Sequence, residues 1–219
     1  MSFIDYAGMA ETRDLRTVKT RRALHEALVL LMDGTQAGEI SVKELCRRAD
    51  INRSTFYLHF RGVHDVYMSW LRDMTDEYLL RMEREGIIGA RRFDARRFIL
   101  HTNELAERYP AEFRCLYRGR QDDDLFHVLG MKTGEMAKRL MLGQNAGVDD
   151  YYTFALVFTV SGLIISYIDW NDLGRQIPLE YLADLAEKLC ASPIDSTINS
   201  MASDVSGDAT PADARNDGG

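Results

Sequence analysis

Apolar positions recur at three- and four-residue spacing along most of the chain and almost nowhere in alternation, a pattern that predicts helices. Val18, Leu24, Ala27, Leu28 and Leu31 fall on roughly one face of a helix over 14–33 that stops at Gly34. Ser41-Val42-Lys43-Glu44 then reads as a capping box, in which the serine takes the amide three residues on and Glu44 reaches back. The helix it opens carries Val42, Leu45, Cys46 and Ala49 on one face, with Lys43, Glu44, Arg47 and Arg48 on the other. Asp50-Ile51-Asn52 forms a tight turn, and Asn52 is placed to cap a short third helix running through Phe60. A longer helix follows from Val63 to about Glu85, with further helices expected near 94–108, 111–119, 123–142, 149–170 and 178–190. These are nine helices with no internal repeat and no strand of useful length, so the fold class is all-α.

Tyr151 to Ile168 is a run of 18 uncharged residues, the bare minimum for a membrane span. Aspartates flank it on both sides (Asp149, Asp150, Asp169), and neither end has a lysine or arginine anchor. A helix apolar on all sides is more simply one covered by its own domain and by a partner subunit. No membrane partner is expected. Beyond Ala191 the chain has no aromatic residue and is rich in Ser, Asp, Ala and Gly, so 192–219 reads as a disordered tail.

Charge divides the chain. Residues 12–62 hold ten Lys and Arg against six Asp and Glu, a local +4 within a chain of net −7. A basic unit over 12–62 on an acidic body over 63–191 points to one kind of partner for the first and self-association or a small molecule for the second. The 219-residue length is enough to bury a core without metal or disulfide staples. Cys46, Cys115 and Cys190 lack any C-x-x-C pairing and read as free thiols in a reducing, cytoplasmic compartment. MSFIDYAGMAE has no basic cluster followed by an apolar stretch, so it is not read as a signal peptide.

Two short helices joined by a three-residue turn make a helix-turn-helix, whose second helix enters the DNA major groove. The third helix meets that requirement face by face. With Arg53 set at zero and about 100° per residue, Phe56 falls at about 300° and Phe60 at about 340°, which sets the core direction. Ser54, Leu58 and Thr55 point away from it, where small polar and apolar groups meet base edges. Tyr57 and His59 sit on the two flanks, where hydrogen-bonding groups reach the phosphate walls. Arg53, in the first turn, can swing to guanine or to phosphate. Ser41, Lys43, Asn52 and Arg61 complete the expected contact set. The competing reading is a helical hairpin with solvated charges, but box, turn, aromatic pair and basic charge all agree with the first.

The run Ser41-Val42-Lys43-Glu44-Leu45 … Arg48-Ala49-Asp50-Ile51-Asn52-Arg53-Ser54-Thr55-Phe56-Tyr57-Leu58-His59-Phe60 closely resembles the DNA-binding domain of TetR-type regulators. Thr-Phe-Tyr-x-His-Phe is its specific part, and the likeness covers about residues 14–66. A later Gly-Leu-Ile … Trp-Asn segment (Gly162 to Asn171) is similar to the branch of the dihydroxyacetone kinase operon activator. The resemblance implies an all-α homodimer with a small-molecule effector in its C-terminal body. It also implies a repressor acting on a palindromic operator, with Thr55, Tyr57 and His59 on DNA and Phe56 and Phe60 in the core. Two positions depart from the family pattern. Asp50 replaces the usual turn glycine, tolerable because aspartate adopts positive φ. Val63 replaces a lysine that commonly touches phosphate, so that contact must come from Arg61 or from helix N-terminal amides.

Lesser signals have ordinary explanations. Asp122-Asp123-Asp124 beside His127, and Asp149-Asp150, fit the first turns of helices better than a metal site. No phosphate loop, nucleophile elbow or metal-binding histidine spacing occurs, so no enzyme activity and no cofactor are expected. The body is rich in Met, Phe and Tyr, which fill a core and could also line an apolar pocket. The expected protein is a ligand-responsive regulator that binds double-stranded DNA as a homodimer through 149–170 and 178–190. The alternative is a metabolite-responsive coactivator or protein-binding module with the same fold.

Overall fold

The helical periodicity becomes ten α-helices in the computed structural model, which describes residues 2–10, 14–90, 92–118, 124–140 and 146–190. The first three helices of the basic unit are α2 (Leu15–Leu31), α3 (Val42–Ala49) and α4 (Arg53–His59), with a 3₁₀ turn at Ala37–Glu39 between α2 and α3. The body follows as α5 (Val63–Arg84), α6 (Ala95–Arg108), α7 (Pro110–Arg118), α8 (Asp124–Leu140), α9 (Ala146–Asp172) and α10 (Leu179–Cys190). Each expected helix is present to within a few residues. The proposed tail at 192–219 lies outside the described residues, as do Asp122 and Asp123.

Two elements were not expected. A five-residue helix α1 (Tyr6–Ala10) precedes the basic unit, bringing the helices to ten rather than nine. A short antiparallel hairpin joins α5 to α6, with β1 (Ile88–Gly89) and β2 (Arg92–Phe93) paired Ile88 to Phe93 and Gly89 to Arg92. Neither is long enough to show a period. The hairpin starts where Gly86 turns α5 off at φ 66°, a left-handed conformation that suits glycine. The α1 segment is held by long-range packing: Phe3 is fully buried, edge-on to Tyr109 at 5.1 Å, with the Arg81 guanidinium 4.6 Å above its ring.

α5 is the central member, with Val66, Trp70, Leu71, Met74 and Met82 buried, because α2 covers one side and α8 another. α8 packs along α9 with Gly130 and Gly134 on the contact face, where a β-carbon would also fit. A β-carbon at either would stand 3.7–3.9 Å from Val157 or Thr153. Trp170 ends α9 by donating from Nε1 to the Ile177 carbonyl at 2.8 Å, with Arg175 stacked on its ring at 5.2 Å. That anchoring accounts physically for the Trp-Asn end of the late motif.

A buried polar cluster fastens α1, α2 and α5 together. The His25 ring bonds Tyr6 Oη at 2.8 Å through Nδ1 and Ser69 Oγ at 3.0 Å through Nε2. A neutral imidazole satisfies both, donating from one nitrogen and accepting at the other. The Asp73 carboxylate comes within 3.9 Å of the ring, but it is committed to Arg21 at 2.6 Å. Burial, reinforced by the Arg21 charge, therefore holds the His25 pKa well below its ordinary 6.5. The unfolded chain binds the proton that the folded one refuses, so this contribution is complete above pH 6.5 and is lost as the pH falls below it. Stability should then decline by up to about 1.4 kcal/mol per pH unit in that range. Melting temperatures measured from pH 7.5 to 5.5 check this; His25→Gln should flatten the profile, and an equally steep variant would refute the assignment.

Candidate nucleic-acid interface

Ser41 starts α3 in extended backbone, and its Oγ accepts from the Glu44 amide at 3.2 Å, the first half of the expected capping box. Asp50 closes the helix at φ 55° and ψ 42°, with the Ile51 amide on the Cys46 carbonyl at 3.0 Å. The left-handed turn that glycine usually supplies is thus made by aspartate. Asn52 does stand at the N-cap of α4, but its side chain makes no capping bond, which corrects the expected role. Backbone alone begins α4, through the Phe56 amide on the Asn52 carbonyl at 2.9 Å. The Asn52 amide group is left exposed for an outside partner.

The faces of α4 follow the helical arithmetic. Phe56 is fully buried and Phe60 nearly so, with their rings 6.0 Å apart. Leu58 lies opposite at 81% exposure and Tyr57 at 55%. Arg53, Ser54 and His59 are exposed, while Thr55 is half-buried rather than fully outward.

Around this outward face lies a set of cations. Lys43, Arg47, Arg48, Arg53 and Arg61 are all exposed, and among the described residues none of them forms an ion pair. Arginines elsewhere on the surface are neutralised, as Arg22 by Glu26 at 2.8 Å, Arg114 by Asp33 at 3.0 Å and Arg139 by Glu83 at 2.6 Å. Arg47 and Arg48 were not in the expected contact set. Their signal was present in the polar face of α3, where they also complement the negative end of the helix.

Val63, where a phosphate-binding lysine was missed, is buried at 8% exposure and cannot reach DNA. Asp65, in the first turn of α5, accepts from the Arg61 amide just before the helix at 3.1 Å. A carboxylate there opposes a phosphate at the same helix end. The Arg61 side chain is exposed. In the first turn of α5, His64 Nε2 meets Asp124 Oδ2 at the start of α8 at 2.8 Å, tying these two body helices together.

Hollows of different chemistry lie among the described residues. A cleft of about 580 Å³ beside residues 2–7 is open and lined by charges of both signs, of which Arg81 pairs with Glu77 at 2.8 Å. A cavity of about 40 Å³ lies where α5, α6, α7, α8 and α9 converge, lined by Met74, Tyr78, Phe113, Leu125, Leu129 and Ile168 among others. Among the described residues no charged side chain lines it. Its hydroxyls are engaged within the protein: Tyr78 with Thr102 at 2.6 Å, Thr75 with the Leu71 carbonyl at 2.8 Å and Tyr167 with Asn103 at 3.0 Å.

α9 and α10 present an apolar face to solvent. Phe154 and Phe158, one turn apart on α9, are 75% and 73% exposed, and Tyr181, Leu185 and Leu189 are exposed on α10. Gly162 lies on the same side of α9, with nothing within 4 Å of where a β-carbon would stand. By length and composition this helix could cross a membrane over Tyr152–Asp172, yet its other side, with Tyr152, Leu156, Val160 and Tyr167, is packed in the core.

No family model and no curated protein sequence matches the chain. Among solved structures it is similar to the crystal structure of a TetR-family transcriptional regulator from Streptomyces coelicolor. That likeness covers 89% of this chain and 91% of the other, with a TM-score of 0.53 and 16% sequence identity. The chain has the all-α fold seen in that TetR-family regulator.

Proposed function

We propose that the protein is a DNA-binding transcriptional regulator controlled by a small molecule, a homodimer that acts as a repressor on a palindromic operator in the cytoplasm. The observation that carries the reading is the exposed face of α3 and α4, where Lys43, Arg47, Arg48, Arg53 and Arg61 surround an outward helix without intramolecular carboxylate partners. Such a face has little use in a coactivator or protein-binding module that has left DNA behind. It suits a phosphate backbone, which demands many unneutralised cations. On this reading residues 12–62 bind DNA, with Tyr57, His59, Lys43, Ser41 and Arg61 on the backbone and Arg53, Ser54, Thr55, Leu58 and Asn52 toward the bases. Residues 63–191 bind the effector and the second subunit.

The effector is an uncharged, apolar molecule taken into the cavity between α5 and α9, since nothing on that wall could pair with a charge. At about 40 Å³ the cavity must widen to admit it. α5 forms one wall and also continues directly from the recognition helix, so widening would move that helix. The effector shifts the balance only by its differential affinity for the two arrangements.

Selection of bound duplexes from a random pool at low salt tests the reading. A two-fold symmetric site should be enriched, and log affinity for it should fall linearly with log salt as counterions are released. A pool that yields no enriched palindrome would overturn it.

A further inference from the structure

We infer that Leu58 determines base preference by packing against the 5-methyl group of a thymine in each half-site. The inference rests on the DNA-binding reading above and adds the base that this side chain selects. Leu58 is the most exposed large apolar side chain among the described residues, at 81%, and it lies directly opposite the buried Phe56. With Tyr57 beside it at 55% exposure, Leu58 gives the seven-residue α4 an exposed apolar crown and not a lone surface leucine. The exposed cations of α3, α4 and Arg61, which form no ion pair among the described residues, favour an anionic polymer as the occupant of this unit.

In the major groove the apolar feature of a base edge is the thymine methyl. The neighbouring side chains narrow the choice further. Reading adenine takes the two-pronged amide of Asn or Gln, and reading cytosine takes a carboxylate. α4 itself, Arg53-Ser-Thr-Phe-Tyr-Leu-His59, has no Asn, Gln, Asp or Glu, and the nearest amide is Asn52 at its N-cap. An A·T pair beneath the middle of the helix is therefore recognised most directly through its methyl.

Uracil tests this cleanly, because it keeps every hydrogen-bonding atom of thymine and lacks only the methyl. Starting from the selected palindrome, each symmetric pair of thymines is replaced in turn by uracil, and affinities are measured for the native protein and for Leu58→Ala at one salt concentration. Removing one buried methyl costs about fourfold in affinity, and removing the symmetric pair costs about fifteenfold. One pair should show this loss with the native protein, and the same replacement should leave the affinity of Leu58→Ala unchanged. Leu58→Ala should melt as the native protein does, since the side chain is exposed. Equal binding of the native protein to all uracil duplexes would overturn the inference while leaving the DNA-binding reading intact. So would an equal loss for both proteins, which would assign the methyl to another residue. Failure to select any duplex would instead remove the reading on which the inference stands.

Discussion

Replacing Phe56 by alanine should release α4 from the protein and abolish binding to every DNA sequence alike. Phe56 is fully buried, edge-on to Tyr57 at 5.3 Å and 6.0 Å from the Phe60 ring. α4 has only seven residues, far fewer than an isolated helix needs to persist in water. Its helicity therefore depends on this anchor. Truncating a buried phenylalanine costs roughly 3–5 kcal/mol, against a total stability of about 5–15 kcal/mol for a domain. Thermal unfolding followed by circular dichroism should show a large drop or an early transition, with much of the body helicity retained beyond it. Leu58→Ala, two residues away, should change stability by less than about 0.5 kcal/mol, as expected for a surface position. If Phe56→Ala melted like the native protein, the placement of α4 on the core would be wrong.

Charging the exposed face of α9 should have a comparably large effect on DNA binding by another route. Phe154→Glu with Phe158→Glu leaves the subunit's own core untouched, because both rings face solvent in the single chain. Yet a soluble monomer rarely leaves two phenylalanines one turn apart this open, with Tyr181, Leu185 and Leu189 exposed on α10 besides. A second copy is its economical cover, and Gly162 offers the close approach that two facing helices need. Two-fold pairing also sets two recognition helices about 34 Å apart, one helical turn of DNA. The double variant should sediment as a monomer at micromolar concentration with an unchanged melting curve after allowance for dissociation. Its affinity for the palindrome should fall by about 10²–10⁴, the advantage conferred by linking two binding modules. A native protein that is monomeric and still binds a palindrome tightly would sink this interface.

Much of the candidate site was readable before any coordinates, because helices and their faces are local and periodic. The burial of Phe56 and Phe60, the exposure of Leu58 and the left-handed turn at Asp50 all follow from residue type and spacing over fewer than a dozen positions. So did the excess of apolar surface on α9, since one subunit can cover only part of a helix that is apolar nearly all round. What escaped depends on residues far apart in sequence. α1 exists because Phe3 finds Tyr109 and Tyr6 finds His25, and five residues carry no period of their own. Gly130 and Gly134 are unremarkable until Val157 arrives against them. The Asn52 side chain could have capped α4 on local grounds, yet it does not, and Asp65 closes the start of α5 instead. Periodicity states which face of a helix must be covered. Only the packed chain decides what covers it, because burial is shared among whichever surfaces fit, and that choice leaves no mark on the spacing within any one segment.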